Sequence, residues 1–256
     1  MASTDSKDIP KAVSLTNIRN SLISQEDTII FDLLERAKLK TNDLIYEKNG
    51  IPELKLPERW NSFLMFMLHE HEKPYALARR YAHPEEYPFT DDLPEPILPK
   101  LQHETVLHPN TVNVNNDILN YYIHSIVPKI CEKGIDPDNY GSTAVCDISC
   151  LQSLSRRIHY GKFVAEAKYR QNPELYKKLI LARDIKGIED AIVDKKQEQR
   201  VLDRLHYKAA TYGRDPAEPD KPSDRVTADV VVSIYRDYVI PMTKKVEVDY
   251  LLQRLE

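Results

Sequence analysis

Residues 151–170 read LQSLSRRIHYGKFVAEAKYR, an uninterrupted run that predicts one helix at the centre of the chain. At about 100° per residue, Arg157, Gly161, Val164 and Lys168 share one side of this helix. That side is a cationic stripe with a gap at the glycine. The opposite side is apolar enough to pack against a core, with Leu151, Leu154, Ile158 and Ala165.

The stripe predicts a small dianionic ligand. Arg157 and Lys168 lie about 16 Å apart along the helix, and two long side chains that lean toward each other can grip one small polyanion. A glycine in a helix interior costs about 1 kcal/mol, so Gly161 needs a packing or functional reason. The alternative is a pair of solvated charges on a surface helix, which is the commoner case for two basic residues.

The composition favours helices over strands. Only 6 Gly occur in 256 residues, 30% of the residues are charged, and Leu, Ile, Glu, Lys and Ala recur at spacings of three and four. We predict an all-α fold, a single-domain multi-helix bundle with one long central helix. The domain is expected to span residues 1–256, with 1–13 flexible.

Charge and cysteine usage exclude several classes of protein. The formal net charge of -4 and the pI of about 6.1 give no basic field for nucleic acid. Cys131, Cys146 and Cys150 form neither a disulfide framework nor a zinc motif, so we expect no metal. The sequence has no window of about 18 apolar residues and no apolar leader, so we expect no membrane contact and a cytoplasmic location.

The first half of the chain predicts two helices and a wrapping segment. Ser14 or Thr16 caps the first helix, and Arg19 lies at the edge of its apolar face, pointing either into a cleft or into water. A second helix covers 61–81, and its last turn carries two arginines. The proline-rich stretch 83–109 cannot be one helix and is expected to wrap an ordered surface.

The start of the central helix is a candidate anion site. Ser142 or Thr143 is predicted to cap this helix, which Pro173 closes. Asn139 and Gly141 stand at the same terminus, where free N–H groups and the helix dipole favour a carboxylate or a phosphate. Simple capping is the alternative function for these residues.

Two polar pairs lie at a spacing of four residues in the last third of the chain. Asp194 and Glu198 are predicted to share a face of one helix over 185–210, where like charges repel unless something positive or hydroxylic lies between them. Thr243 and Glu247 share a face of the final helix. Taken alone, the residues of each pair would be interpreted as polar groups on the protein surface.

Prolines predict bends in two other helices. The helix over 115–133 is expected to be kinked near Pro128. Thr227 is predicted to cap a final helix that bends or restarts at Pro241. The polar, proline-containing loop 212–225 before it is expected to be mobile.

Four separated blocks decide the family resemblance. In order they are NIRNSLISQEDTIIFDLLERA (17–37), NYGSTAVCD (139–147), CLQSLSRRIHYGKFVAEAKY (150–169) and IPMTKKVEVDYLLQRLE (240–256). Together they resemble the chorismate mutases of fungi and plants, the all-helical eukaryotic type. The resemblance covers nearly the whole chain and is weakest over 39–63 and 217–224.

The resemblance implies conversion of chorismate to prephenate, toward phenylalanine and tyrosine, by a homodimer without a cofactor. This rearrangement is an intramolecular Claisen reaction, so the protein supplies a folded substrate conformer and charge complementarity. Negative charge grows on the ether oxygen as its bond to carbon breaks, and a donor aimed there favours the transition state. The gap at Gly161 is then interpreted as room for the compact ring.

The resemblance also assigns roles to the stripe. Arg157 and Arg19 match arginines that bind substrate carboxylates, and Lys168 matches the donor to the ether oxygen. Glu247 matches a glutamate that shares this oxygen, which requires its protonated form. Burial beside an anionic substrate would raise its pKa in that direction.

Three further residues complete the substrate site that the resemblance implies. Glu198 matches the acceptor for the ring hydroxyl, and Thr243 matches a threonine that contacts a carboxylate. Asp194 stands where fungal members have Asn, so it cannot donate a hydrogen bond and adds a negative charge near a dianion. Its role is therefore open.

A second site is implied for amino-acid effectors. Arg79, Arg80, Asn139, Gly141 and Ser142 match an interface site of a homodimer at which tyrosine inhibits and tryptophan activates. Arginines paired with a helix N-terminus suit an amino-acid carboxylate. The position of Val145 holds Thr in a regulated fungal member, and some family members are unregulated, so the alternative is an enzyme without this regulation.

The competing function is a mutase-like helical binding or effector protein that has lost catalysis. Retention of the implied catalytic residues argues against it: Arg19, Arg157, Lys168, Glu198 and Glu247. A rate measured with chorismate, with and without tyrosine and tryptophan, separates these alternatives.

Overall fold

The computed structural model describes residues 14–101, 106–212 and 226–255. Across these ranges the chain is helical and contains no β-strand, which confirms the all-α prediction. The predicted flexible start, 1–13, lies outside the described residues, as does nearly all of the expected mobile loop 212–225. Every helix within the described ranges is too short or too polar to cross a membrane.

Eleven α-helices are described, and two π-helical turns interrupt them. The π-helical turns, Tyr122–Ile126 and Tyr235–Val239, join α3 to α4 and α10 to α11. The helices are α1 (Leu15–Ala37), α2 (Phe63–Leu77), α3 (Asn115–Tyr121), α4 (Val127–Ile130), α5 (Tyr140–His159), α6 (Gly161–Gln171), α7 (Pro173–Leu181), α8 (Ile185–Ile192), α9 (Lys195–Thr211), α10 (Ala228–Ile234) and α11 (Ile240–Leu252).

One continuous hydrophobic core fixes how these helices pack. α1 lies along α5, α11 lies along α6, and α10 lies along α9. The apolar side of the central run is buried as predicted, with Leu151, Leu154, Ile158 and Ala165 all at or near zero exposure. Burying such side chains contributes about 1.5–3 kcal/mol each, so this face holds the centre of the bundle in place.

The central run differs from the prediction in where it starts. α5 begins at Tyr140 after a short 3₁₀ turn, Pro137–Asn139, so neither Ser142 nor Thr143 is its cap. The Thr143 hydroxyl instead donates to the Asn139 carbonyl oxygen at 2.8 Å and accepts from the Asn42 amide at 2.8 Å. The hydroxyl is therefore used to hold the first turn against the rest of the chain.

The central run is also interrupted, at Tyr160. This residue keeps a right-handed backbone (φ -60°, ψ -15°), and the Phe163 N–H donates to its carbonyl oxygen, three residues back. Such a local tightening is typical of a 3₁₀ turn. The predicted single helix is thus two helices, α5 and α6, with Gly161 opening the second, and Pro173 opens α7 after it.

The expected helix over 185–210 is also two helices. The chain breaks at Val193 and Asp194, and the Asp194 carboxylate accepts the Gln197 N–H at 3.0 Å as the cap of α9. An acidic residue there satisfies an N–H group and favours the helix dipole. Asp194 and Glu198 therefore do not share a helix face, and that prediction is wrong.

The helices predicted to bend at prolines change geometry there, because each one widens into a π-helical turn before its proline. Pro128 and Pro241 each follow a π-helical turn by two residues. Proline has no N–H to donate, and its ring clashes with the carbonyl group four residues earlier, so a wider turn relieves the contact. Thr227 caps α10 as predicted, accepting the Val230 N–H at 3.3 Å.

The end of the second helix also differs from the prediction. α2 stops at Leu77, Arg79 has a left-handed backbone (φ 65°), and Arg80 begins a 3₁₀ turn. Neither arginine lies in the last turn of the helix, because the left-handed residue terminates it. The proline-rich segment that follows is held to α2 by Glu72, which accepts the N–H groups of Phe89 and Thr90.

Candidate active site

A cavity of about 490 Å³ opens between α1, α5, α6, α9 and α11, with α7 and α8 at one side. This volume suits a small ligand. The structure brings together all seven residues that the sequence analysis placed at the substrate. They are Arg19, Arg157, Lys168, Asp194, Glu198, Thr243 and Glu247.

Arg157 is buried in the wall of this cavity with little to bind. It is 5% exposed, and its Nη1 donates to the Thr243 hydroxyl at 3.3 Å. Its Nε donates to no acceptor in the described part of the chain. A buried guanidinium normally has its donors paired, so this one is suited to an anion in the cavity.

Gly161 allows α11 to approach the central run. A Cβ atom at this glycine would lie 2.9 Å from both Cγ2 and the carbonyl oxygen of Thr243. The gap in the cationic stripe is therefore filled by α11, and its interpretation as room for a substrate ring is wrong. The close contact places Thr243 beside Arg157, while its hydroxyl donates to the Val239 carbonyl oxygen at 2.6 Å.

Lys168 and Glu247 meet inside the cavity. Lys168 Nζ donates to the Glu247 carboxyl at 2.8 Å and to the Ile192 carbonyl oxygen at 2.6 Å. An ammonium group has three donors, so one remains for a ligand. Burial raises the pKa of Glu247, while Lys168, Arg157 and Lys244 oppose that shift. The net upward direction favours a protonated carboxyl that can itself donate.

Arg19, Asp194 and Glu198 form the more exposed rim. Arg19 Nη2 lies 3.9 Å from Asp194 Oδ2, and both side chains are about half exposed. Glu198 pairs with Lys244 Nζ at 2.8 Å. Each acidic group therefore has its own cation, which removes the repulsion expected from their sequence spacing.

Three charged residues of the lining were not predicted from the sequence. Glu26 is fully buried and accepts both Nε and Nη2 of Arg204, at 2.7 and 2.6 Å, and Lys244 pairs with Glu198. Helical spacing was an available signal for Glu26 alone, because Arg19 and Glu26 lie seven residues apart and so share one face of α1.

The charges of the lining suit a dianion. Five cationic and four acidic side chains line the cavity, so the formal charge is +1 when every carboxylate is ionised. Protonation of Glu247 brings this charge to +2, equal and opposite to that of a dianion. The upward shift of the pKa of Glu247 acts in this direction.

The five predicted effector residues lie apart from this cavity. Arg79 donates to the Pro99 carbonyl oxygen, and Arg80 Nε lies 3.0 Å from the Glu86 carboxylate. The other three are exposed or half-buried at the start of α5, where Asn139 donates to Asp136 at 2.8 Å. Nothing lies within 4 Å of a Cβ built on Gly141. Arg79, Arg80 and Asn139 thus bind neighbours within this single chain, and the effector role of all five residues stays a prediction.

Comparison with known proteins gives matches to chorismate mutases, both by family model and by whole-chain similarity. The family model described as Chorismate mutase type II matches residues 139–248. The chorismate mutase of Schizosaccharomyces pombe is 68% identical over 247 residues, covering 96% of this chain and 98% of that protein.

Two solved structures share the fold. A chorismate mutase from Candida albicans in complex with L-Trp has a TM-score of 0.90 at 43% identity, covering 99% of this chain and 96% of that one. AtCM1 with tyrosine bound in its allosteric site has a TM-score of 0.84 at 42% identity, covering 97% of this chain and 99% of that one.

The shared fold defines an all-helical enzyme of the type II class. The chain belongs to the chorismate mutase family. The predicted activity, isomerisation of chorismate to prephenate, is confirmed by this membership, and the alternative of a helical binding protein without catalysis is not supported.

Proposed function

We propose that the cavity is the active site and that Arg157, Arg19 and Thr243 hold the two carboxylates of chorismate there. The observation that carries this proposal is the meeting of Lys168 with Glu247 at 2.8 Å in a cavity whose buried Arg157 has an unpaired Nε. Lys168 and protonated Glu247 can donate to an ether oxygen whose bond is breaking, and Arg157 can bind a carboxylate, so together they suit a dianionic substrate.

The geometry supports catalysis by selective stabilisation of charge. The rearrangement is intramolecular, so its barrier falls when the substrate is held in a folded conformer. As the carbon–oxygen bond breaks, negative charge develops on the ether oxygen. Lys168 and protonated Glu247 can both donate to that oxygen, and these bonds strengthen in the transition state.

The rim residues take supporting roles in this proposal. Glu198 accepts the ring hydroxyl, and Lys244 orients its carboxylate from 2.8 Å. Asp194 uses Oδ1 to cap α9, and its Oδ2 lies 3.9 Å from Arg19. We therefore propose that Asp194 holds Arg19 at the mouth, where this cation offsets the negative charge that Asp194 adds near a dianion.

A rate measurement with purified protein and chorismate tests this site. Lys168→Ala removes the donor to the ether oxygen and should lower kcat by about 10³-fold, the loss typical of one such donor. Lys245→Ala is the matched control, because Lys245 is exposed on α11 and outside the cavity lining. A Lys168→Ala rate within tenfold of wild type would refute the assignment.

We further propose a homodimer in which Arg79, Arg80, Asn139, Gly141 and Ser142 form an effector site. Two structural neighbours support it, one in complex with L-Trp and one with tyrosine in an allosteric site. Arg80 and the start of α5 lie at the surface here, where a second copy can reach them.

Titration of tyrosine and tryptophan into the rate assay tests this regulation. Tyrosine should lower the rate and tryptophan should raise it, and sedimentation should give a dimer. Val145 is 47% exposed at this end of α5 and has no hydroxyl to donate. If this position weakens regulation, the rate should respond to tryptophan but only weakly to tyrosine. A rate unmoved by either amino acid would refute the effector site.

We also propose that the chain is a single domain and that it is located in the cytoplasm. The continuous core supports one domain over 1–256, and limited proteolysis should give no stable half of the chain. Microscopy of a tagged chain checks the location.

A further inference from the structure

One stripe of α11 carries hydrogen bonds to charged residues of α5 and α6. Thr243 accepts from Arg157 at 3.3 Å, and Glu247 accepts from Lys168 at 2.8 Å. Tyr250 continues the stripe at a spacing of three residues. Arg254 follows four residues later, just beyond the end of α11 at Leu252. These last two side chains lie outside the cavity lining, so the proposed function gives them no role.

Tyr250 and Arg254 both bind Glu166, a fully buried carboxylate on α6. Glu166 Oε2 accepts the Tyr250 hydroxyl at 2.6 Å and Arg254 Nε at 2.7 Å. Its Oε1 accepts Arg254 Nη2 at 3.2 Å and Arg170 Nε at 2.7 Å. Burial raises the pKa of Glu166, but these donors outweigh it and leave the pKa below the usual value. The group is an ionised carboxylate saturated by donors.

Two other contacts strengthen this attachment of α11. The Tyr250 hydroxyl also accepts the His108 N–H at 3.0 Å, and the Arg254 guanidinium lies 4.5 Å above the ring of Tyr169. Charge-assisted hydrogen bonds of this kind are about twice as strong as neutral ones and fix geometry as well. The C-terminal end of α11 is therefore held to α6 at a defined position.

The attachment lies within one turn of the proposed catalytic pair. Glu166 is two residues before Lys168, and Tyr250 is three residues after Glu247. At the other end, α11 touches Gly161 through Thr243. Glu247 thus lies between two points of contact between the helices. Its own Cγ also lies near Gly161, 3.5 Å from where a Cβ atom would be, and the Glu166 contacts do not involve its side chain.

We propose that Glu166, Tyr250 and Arg254 are positioning residues for the rearrangement, which set α11 along α6 so that Glu247 and Lys168 meet at the ether oxygen. The inference rests on the proposed function of that pair. A misplacement of about 1 Å at a reacting centre can cost about 10²-fold in rate. Of the three residues proposed to hold the carboxylates, Arg157 and Arg19 lie on other helices. Thr243 lies on α11 against Gly161, seven residues before Tyr250, so KM should be nearly independent of the attachment.

Arg254→Gln is the central test, because Arg254 is partly exposed at the helix end and the variant should fold. We expect kcat to fall about tenfold, less than the loss for a full 1 Å shift, with KM within about twofold.

The pH profile supplies a second readout. The groups that face Glu247 are Lys168 on α6, Arg157 on α5, Lys244 on α11 and Tyr176 on α7. Lys168 lowers the pKa of Glu247, so weakening their contact raises it. Because the protonated form donates, the rate falls as pH rises through this pKa, and in Arg254→Gln the fall should move to higher pH.

Arg170→Gln is the matched control. Arg170 binds the same carboxylate at 2.7 Å but lies on α6 itself, so its loss weakens the buried cluster without releasing α11. It should leave kcat and the pH profile unchanged within about twofold. Tyr250→Phe should reproduce the Arg254→Gln effect more weakly, by about threefold, and Arg254→Lys should recover part of kcat.

Two results would overturn the inference. One is a folded Arg254→Gln with wild-type kcat and pH profile. The other is an equal loss in Arg170→Gln, which would assign the effect to general loss of stability. Both results leave the proposed function standing if Lys168→Ala abolishes activity, whereas an active Lys168→Ala refutes the pair itself.

Discussion

Two buried arginines, Arg36 on α1 and Arg157 on α5, differ in what they bind. Arg36 is fully buried and donates to Asp147 at 2.5 Å, to the Tyr46 hydroxyl, to the Cys131 sulfur and to backbone carbonyl oxygens. Arg157 is nearly as buried, yet among the described residues its guanidinium has one hydrogen bond, at 3.3 Å to Thr243, and an unpaired Nε. The ring of Tyr235 lies 5.9 Å from it.

The difference separates a structural cation from a binding cation. An unpaired buried polar group costs about 1–3 kcal/mol, so a chain retains one where a ligand supplies the partner. Arg36 is closed to any ligand because its donors are used within the chain. Burial and charge alone would have classed both residues together, and the hydrogen-bond count distinguishes them.

Removing Arg157 gives the largest expected effect, and it tests whether this arginine binds the substrate. Arg157→Ala should lower kcat/KM by about 10³- to 10⁴-fold, since one donor to a developing or fixed anion accounts for about 10²- to 10³-fold and substrate binding adds to it. Urea unfolding should show little loss of stability. Arg156→Ala, an exposed neighbour that pairs with Glu86 at 3.4 Å, is the control. Activity retained within tenfold would contradict the assignment.

Removing Arg36 tests whether this arginine stabilises the fold without binding the substrate. Arg36→Ala leaves Asp147 buried without its cation and should destabilise the fold by about 3–5 kcal/mol, measured by urea unfolding. The rate per folded molecule should stay near wild type. Replacing Asp147 with Leu in the same chain should recover much of the stability. Lost activity in a fully folded variant would instead tie Arg36 to the cavity.

Gly161→Ala should displace Thr243, the hydrogen-bond partner of Arg157. A Cβ atom 2.9 Å from the Thr243 backbone oxygen forces α11 outward. We expect kcat/KM to fall about 10- to 100-fold and stability to fall by about 1–3 kcal/mol. Thr243→Ser in the same chain removes one of the two close contacts and should recover part of both losses. Unchanged rates would show that α11 can retreat without disturbing the site.

Glu247→Gln gives the smallest expected effect, since it keeps a donor beside Lys168. The pKa of Glu247 is raised by burial, so wild type should lose activity as pH rises through that pKa and the carboxyl deprotonates. Gln donates at every pH, so the variant should be within about tenfold of wild type at acidic pH and flat above it. A variant that declines with wild type would refute the protonated carboxyl.

Helical spacing and the family resemblance identified the residues of the site but not their partners. The stripe of Arg157 and Lys168, with the buried face opposite it, follows from the period of the helix. Glu247 and Thr243 were placed from resemblance, and the structure puts both in the same cavity.

What sequence reasoning missed depends on contacts between helices. Gly161 was interpreted as space for a ligand, while the structure fills it with Thr243, because a missing side chain does not show which neighbour occupies its place. Lys244 beside Glu198 was missed for the same reason. The break at Asp194 was missed because an acidic residue suits both a helix surface and a cap, and local propensity does not separate the two.

The π-helical turn Tyr235–Val239 makes the chain sensitive to its length at this point. A π-helical turn amounts to one inserted residue within an α-helix, and each residue turns the helix by about 100°. Deleting one residue here would rotate Thr243, Glu247, Tyr250 and Arg254 together, away from α5 and α6. In an alignment of relatives, a one-residue gap between 235 and 239 would therefore mark a lost active site even where every residue of α11 is identical.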